Sequence, residues 1–312
     1  MSGQPLTTVA RPLQSLDGAI SFVLDVLWGS VMDVLAALTG IEMLGFPFMQ
    51  RAYLAALCIA LIGPLVGSFL VHREMAMIGD TLAHSAFAGV AAGLFVNSLA
   101  AVTVPPLLSA LVVAALAALL VQSLIDYAGA YRDTSLAIVL TGSFAVGSVL
   151  ITATGGGIAV GINAYLFGSL ATVSRGNAAI LLAMSVVVVA AVAAFYRPLL
   201  YVTFDEVGAR AAGLSVTRYN QLLAVLTAVV VVGAMQIMGV ILVAAMLVIP
   251  TAAATSIRGF KRSIAGAIGA GLVATLSGVT LSYLYDVAAG GTIVLVAIAV
   301  YVASMLAVRA QE

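Results

Sequence analysis

Charge is what this chain most lacks. Of its 312 residues only 8% are charged, against roughly 25% in an ordinary soluble protein, and 63% are apolar. A water-soluble fold is excluded on those two figures. The twelve Lys and Arg balance the twelve Asp and Glu, so no basic surface for nucleic acid is present. Cysteine is nearly absent too. Cys58 is alone and lies in an apolar run, which excludes a disulfide framework and a thiolate metal cluster and leaves it a small core residue. The single lysine, Lys261, has no Gly-x-x-x-x-Gly-Lys-Ser/Thr loop before it, so any coupling to ATP has to come from another chain. The polar stretch from Met1 to Asp17 holds one cation, Arg11, and no small-residue cleavage pattern follows it. No removable signal peptide is read there.

What is present is apolar sequence in span-sized pieces. The mean hydropathy is +1.23, and a bilayer crossing needs about 20 apolar residues. Nine segments qualify, at about 52–71, 77–96, 99–123, 134–153, 177–196, 219–235, 237–256, 263–283 and 291–309. A tenth, about 18–40, is apolar but carries Asp17, Ser21, Asp25, Gly29 and Asp33. At four-residue intervals these trace one polar stripe on a helix, so the segment either crosses against other helices or lies in the interface. The fold class is therefore all-α, a polytopic membrane helix bundle of about nine to ten crossings. Three regions follow: a polar tail at 1–17, an extension helix at 18–43 and a transmembrane domain at 44–312.

Basic residues orient the bundle, because positively charged loops stay cytoplasmic. With Arg73 inside, alternation also puts Arg132, Arg197, Arg210, Arg218, Arg258, Lys261, Arg262 and Arg309 inside, leaving Arg51 and Arg175 outside. If 18–40 crosses, Arg11 joins the inner set and both ends are cytoplasmic. The inner link 197–218 has Asp205 and Glu206 ahead of Val207, Ala211, Ala212 and Leu214, a short amphipathic helix ended at Gly213 and lying on the membrane face. The outer link 155–176 is too apolar for a plain loop and too rich in glycine for a span, which makes it a re-entrant or surface-packed piece. Gly63, Pro64 and Gly67 interrupt the first strong span, Pro105 and Pro106 open the third, and Pro250 sits deep in the seventh.

Ionisable groups inside spans are the candidates for chemistry, since each costs about 2.5–3.5 kcal/mol to insert. Asp80 and His84 are four apart and share one helical face, flanked by the hydroxyls of Thr81 and Ser85. A carboxylate and an imidazole one turn apart make half of a divalent-metal site. The competing reading is a pair satisfied by its own hydrogen bond. Two ligands cannot hold a metal permanently, but they suit a pathway midway through the lipid that must release what it binds. His72, Arg73 and Glu74 read as interface anchors, as do Arg258, Lys261 and Arg262; Asp126 and Asp286 fall near span ends. Met235 and Met238 read as packing, and Glu42 and Arg51 flank the outer approach, where a partner could dock.

Four ordered stretches carry a resemblance: 46–93, from Phe46 to Gly93 and including MIGDTLAHSAFAG; NAYLFGSLATVS at 163–174; FDEVGARAAGLSV at 204–216; and MQIMGVILVAAMLVIPTAAA at 235–254. Together they resemble the zinc and manganese family of ATP-binding-cassette importer permeases, from about Leu44 to the C-terminus. The resemblance implies a type II importer permease that is not itself an enzyme, sits in the plasma membrane and binds no permanent cofactor. It also implies a homodimer, two copies of a cytoplasmic ATPase and an extracytoplasmic metal-binding protein, the cargo being zinc, manganese or iron. By the same likeness Asp80 and His84 line the metal route. Phe204, Asp205, Glu206, Arg210 and Gly213 fall on the coupling helix, with Asp205, Glu206 and Arg210 as its polar contacts to the ATPase. A permease for a metal chelate or cobalamin-like ligand is the nearest alternative; an ATP-independent transporter or channel would need no cytoplasmic lever, and an intramembrane hydrolase lacks a nucleophile dyad.

Overall fold

The computed structural model describes residues 27–99, 104–127, 131–153, 165–169 and 173–310. Among them the secondary structure is helical: α1 (Gly29–Thr39), α2 (Pro47–His72), α3 (Ile78–Leu99), α4 (Pro106–Tyr127), α5 (Arg132–Ala153), α6 (Arg175–Phe204), α7 (Glu206–Ala211), α8 (Val216–Met238), α9 (Val243–Ala253), α10 (Phe260–Tyr285) and α11 (Ala289–Arg309). Eight of these, α2 to α6 with α8, α10 and α11, are long and apolar enough to cross a membrane. Helices are what hydrocarbon permits, because they satisfy their own backbone where no water can. The same demand shows in the hydroxyls. Ser68, Ser185, Thr227 and Thr251 each donate to the carbonyl four residues back, at 2.7–3.0 Å, so no buried O–H goes without an acceptor at these positions.

The sequence expectation of a ninth crossing at 237–256 meets a different local structure. Residues 239–242 form a turn, and only Val243–Ala253 is helical. The segment still joins the two faces of the bundle. Its Gly239 end abuts Leu166 and the Gly168 amide, beside the start of α11, where the backbone of Met238 touches Gly290. At its other end the Ala254 carbonyl accepts the Ser263 hydroxyl at 2.9 Å, next to the start of α10. Turn plus short helix thus span what a straight helix would. A second difference lies at 197–218, expected as a link. Helix α6 runs on through Arg197 and Pro198 to Phe204 with a kink at Phe195; Pro198 lacks the N–H that would bond one turn back, which bends the helix without ending it. Pro64 is likewise absorbed within an unbroken α2, and Pro106 begins α4, where its missing N–H costs nothing.

Helix α2 is the axis of the bundle. It packs against α6, α8, α9 and α10, and 72% of its apolar window is buried, against 17% for α5 and 11% for α11. Those outer helices present Ile138, Val149, Leu295 and Leu306 outward, the surface expected to meet lipid or another membrane helix. Without a hydrophobic drive between helices in lipid, close backbone approach supplies the cohesion. Gly67 is such a point: a Cβ there would overlap the Leu247 carbonyl of α9.

Of the N-terminal extension the described part is α1, about 16 Å long, ended by Gly40 in the left-handed conformation. It is tied to the outer end of α2: Trp28 Nε1 donates to the Gln50 carbonyl at 2.6 Å, and Gln50 Nε2 donates to Asp33 at 2.7 Å. Of the expected polar stripe, Asp17, Ser21 and Asp25 lie outside the described residues, as do the tail at 1–17 and most of 155–176.

Gly67→Ala is expected to lose about 1–3 kcal/mol through overpacking, seen as a lower melting temperature in detergent. Gly269→Ala, whose added Cβ meets nothing within 4 Å, should leave the melting temperature unchanged.

Candidate functional site

Asp80 falls in the first turn of α3 and His84 one turn later. The positive end of the helix dipole therefore lies near the carboxylate. His84 Nε2 and Asp80 Oδ1 are 3.8 Å apart, beyond hydrogen-bond reach, so the pair is not closed on itself. Both side chains are partly exposed, His84 by 22% and Asp80 by 40%. His84 stacks edge-on against Phe144 of α5 at 5.3 Å, and its Nδ1 is buried with no hydrogen-bond partner. The flanking hydroxyls serve packing instead: Thr81 and Ser85 are fully buried, Thr81 reaching the Leu136 carbonyl and Ser85 the Ser143 hydroxyl at 2.9 Å, which clamp α3 to α5. Among the described residues no third His, Cys, Asp or Glu joins the pair.

The depth of the pair differs from the sequence expectation. Gly79, beside Asp80, contacts Leu247 of α9, and Leu247 is level with Gly67 near the inner end of α2. Asp80 and His84 therefore sit in the half of the bundle that holds the α2–α3 turn, the half the basic residues assign to the cytoplasm, rather than midway. The expected start of this span, about residue 77, agrees with the observed start of α3 at Ile78; what differs is that Asp80, in the first turn, lies near the end of the helix and not at its middle.

Beyond α6 lies the short helix α7. Asp205 caps it, its Oδ1 accepting the Gly208 amide at 2.7 Å. At the other end Gly213 has φ +82°, the Gly213 amide bonds the Arg210 carbonyl and the Leu214 amide bonds the Ala209 carbonyl, both at 3.0 Å, a Schellman closure. Arg210 donates to Glu206 at 2.8 Å. Asp205 and the Glu206–Arg210 pair thus shape the helix itself, a role their reading as outward contacts had missed. The expected apolar face is also corrected. Ala209 is the buried residue, packing with Val202, Leu214, Val216 and Tyr219, whereas Val207 is 81% exposed and Ala211 and Ala212 are exposed as well. Phe204 turns back to a cluster with Phe260 at 5.4 Å and His72 at 5.6 Å, continued by Phe69 against Phe260 at 5.1 Å and against Tyr196 at 6.3 Å. The inner ends of α2, α6 and α10 meet there.

His72 and Arg73 are more than anchors. His72 Nδ1 bonds the Ser68 carbonyl at 2.8 Å, and Arg73 Nη2 donates to Asn220 Oδ1 of α8. Burial lowers the pKa of the Arg73 guanidinium; Glu206 opposes that shift and Arg132 adds to it. Met235 and Met238 are fully buried in the core.

On the outer face, residues 165–169 dock onto the α8–α9 elbow. The Val240 and Ile241 amides donate to the Tyr165 and Leu166 carbonyls at 2.8 and 3.4 Å. Gly168 (φ +74°) abuts the Ile237 carbonyl and Gly239 (φ +77°) the Leu166 carbonyl, so close that a Cβ on either would collide. Two segments far apart in sequence, 165–168 and 237–241, are thus one joint held backbone to backbone. Sequence reading missed it; the glycines in both stretches were the available signal. Beside it a cleft of about 550 Å³ is lined by Phe48, Gly168, Tyr283 and Asp286 among others. Glu42 is exposed, and Arg51 is partly buried with its Nε lacking a partner.

The bundle and its ordered motifs agree with a known family: residues 45–308 match the ABC 3 transport family. The chain belongs to it. It is 32% identical over 259 residues to the manganese transport system membrane protein MntC of Halalkalibacterium halodurans, covering 82% of this chain and 86% of that protein. It is 30% identical over 266 residues to a probable iron transport system membrane protein of Haemophilus influenzae, covering 85% and 95%. Among solved structures, PsaBC from Streptococcus pneumoniae in complex with Fab matches with TM-score 0.75 and 29% identity, over 84% of this chain and 92% of that one. As a member of the ABC 3 transport family the chain is a multi-pass membrane transport subunit, not an enzyme.

Asp205→Ala should remove the α7 cap at a cost of about 1 kcal/mol. The expected readout is roughly fivefold faster hydrogen exchange at the Gly208 amide, with Asp205→Asn near the wild-type rate.

Proposed function

We propose that this chain is the permease subunit of an ATP-driven importer for a divalent transition metal ion, manganese, iron or zinc, and that Asp80 and His84 are ligands on its route. One observation carries the reading: the two side chains are too far apart to satisfy each other, yet both face the partly open side of α3. Charged and polar groups are kept in a membrane where they have work with an ion or with each other. The names of the relatives, manganese for one and iron for another, agree with a site of oxygen and nitrogen donors, which discriminates weakly among these metals.

The pair is short of a full ligand set, and the open side of α3 suits a second copy of this chain. In such a homodimer two Asp80 and two His84 supply four ligands, enough to strip water from the ion and few enough to let it go. The helix α7 is the docking element for a cytoplasmic ATPase: capped at both ends, pinned by Ala209, it presents Val207 as an apolar knob within a rim formed by Glu206 and Arg210. Closure of the ATPases on ATP moves α7 as a unit, and the aromatic cluster at Phe204 conveys that motion to α2 and α10. An extracytoplasmic binding protein delivers the ion to the opposite face, where the cleft beside Gly168 and Tyr283 opens.

The test is uptake of radiolabelled manganese, zinc and iron(II) in competition, in vesicles holding the chain with its ATPase. Asp80→Asn and His84→Ala should each lower uptake by more than the roughly tenfold that loss of an outer partner of a metal site costs, with membrane levels unchanged. Uptake equal to wild type in both variants overturns the assignment. Val207→Asp should abolish co-purification of the ATPase; full co-purification removes α7 as its dock.

A further inference from the structure

We propose that Glu206 changes partners during transport, leaving Arg210 for Arg73, and so locks α7 to the turn that carries α3. The inference rests on α7 being the ATPase-coupled element. Arg73 opens that turn, seven residues before Asp80. It is held from two directions. Its Nη2 donates to Asn220, in the second turn of α8, and its carbonyl accepts from Arg132, at the start of α5, at 3.4 Å. The bases of α3, α5 and α8 therefore meet at one residue, and two of those helices flank the Asp80–His84 pair.

A third direction is open. Arg73 Nη1 is buried and has no acceptor, although a guanidinium fork is built to engage a carboxylate through two parallel N–H groups. A buried donor without an acceptor is unfavourable, and is tolerated where another state of the protein supplies one. Glu206 is the carboxylate brought to this turn, because Phe204, two residues before it, packs on His72, the neighbour of Arg73, with ring centroids 5.6 Å apart; Arg132 already holds the Arg73 carbonyl. In this structure Glu206 is engaged by Arg210, whose side chain is 67% exposed. Such a pair, one turn apart on a short exposed helix, is weak and exchanges readily. Moving Glu206 to Arg73 replaces it with a partly buried, fork-shaped one and fills the missing acceptor. The exchange requires α7 to move against the turn at 73–77. Arg73 is then a positioning residue that conveys the state of α7 to the N-terminus of α3.

A double-mutant cycle on the complete complex, reconstituted with its ATPase, tests this through metal taken up per ATP hydrolysed. Arg73→Gln and Glu206→Gln should each lower that ratio roughly tenfold, a coupling of ordinary size. The double variant should be no worse than either single one, because one interaction is being removed twice. Arg73→Lys, which keeps the charge without the fork, should recover part of the loss, and it completes the cycle if Arg73→Gln does not assemble. Losses that multiply in the double variant, or a Glu206→Gln variant with wild-type coupling, overturn the exchange while leaving α7 as the coupling helix. Failure of the wild-type chain to bind or stimulate an ATPase overturns both.

Discussion

Hydrocarbon offers no hydrogen-bond partner, and each feature of this chain answers that constraint. Backbone amides close within helices, buried hydroxyls turn back onto carbonyls of their own helix, and where the chain leaves helical geometry inside the bundle another backbone segment receives it. The joint of residues 165–169 with the α8–α9 elbow is the clearest case. Val240 and Ile241 lose their helical acceptors at the turn and recover them from Tyr165 and Leu166. Glycine at 168 and 239 follows, since both backbones must pass within contact distance.

Asp80 and His84 stand out against that economy. Thr81 and Ser85, on the same helix, find partners, whereas the carboxylate and the imidazole lie 3.8 Å apart and one imidazole nitrogen is buried without an acceptor or donor opposite it. A pair selected for stability would close to hydrogen-bond distance. One held slightly apart leaves lone pairs unused, which is the feature the proposed metal route draws on.

Most of the architecture was legible in the sequence because its signal is additive. Twenty apolar residues with charged ends identify a span whatever their order, and the distribution of eleven arginines and one lysine fixes direction. What was not legible depended on geometry with no compositional mark. Pro198 could have ended α6 or bent it; which occurs is decided by the aromatic packing of Tyr196 and Phe204 against α2 and α10, and that packing is long-range. The segment 237–256 reads as uniformly apolar although residues 239–242 within it are a turn, because hydropathy is blind to φ. Of the candidate site, Asp80 and His84 could be named from spacing alone. Their position near one end of α3 was implicit in a span starting at about 77, although the expectation of a site midway through the lipid did not use it. The role of Asp205 as a cap was a local signal left unread, its acceptor oxygen serving the Gly208 amide three residues on; that of Arg73 as a junction was hidden, because Asn220 is distant in sequence.

The kink at Phe195 gives the proposed coupling its mechanical sense. Beyond it, the last turns of α6 pack on α2 and α10, through Tyr196 with Phe69 and Phe204 with His72 and Phe260. Lys261 lies over the Tyr196 ring at 5.5 Å, adding a cation to the same cluster. A helix broken at that level can tilt its cytoplasmic end with α7 while its outer part stays packed. The force on α7 is then delivered to the inner end of α2, the axis of the bundle, one residue from Arg73 and a short turn from Asp80. A straight α6 would spread the same displacement across the membrane and move the outer joint as well. The bend confines it to the half of the bundle where the Asp80–His84 pair lies.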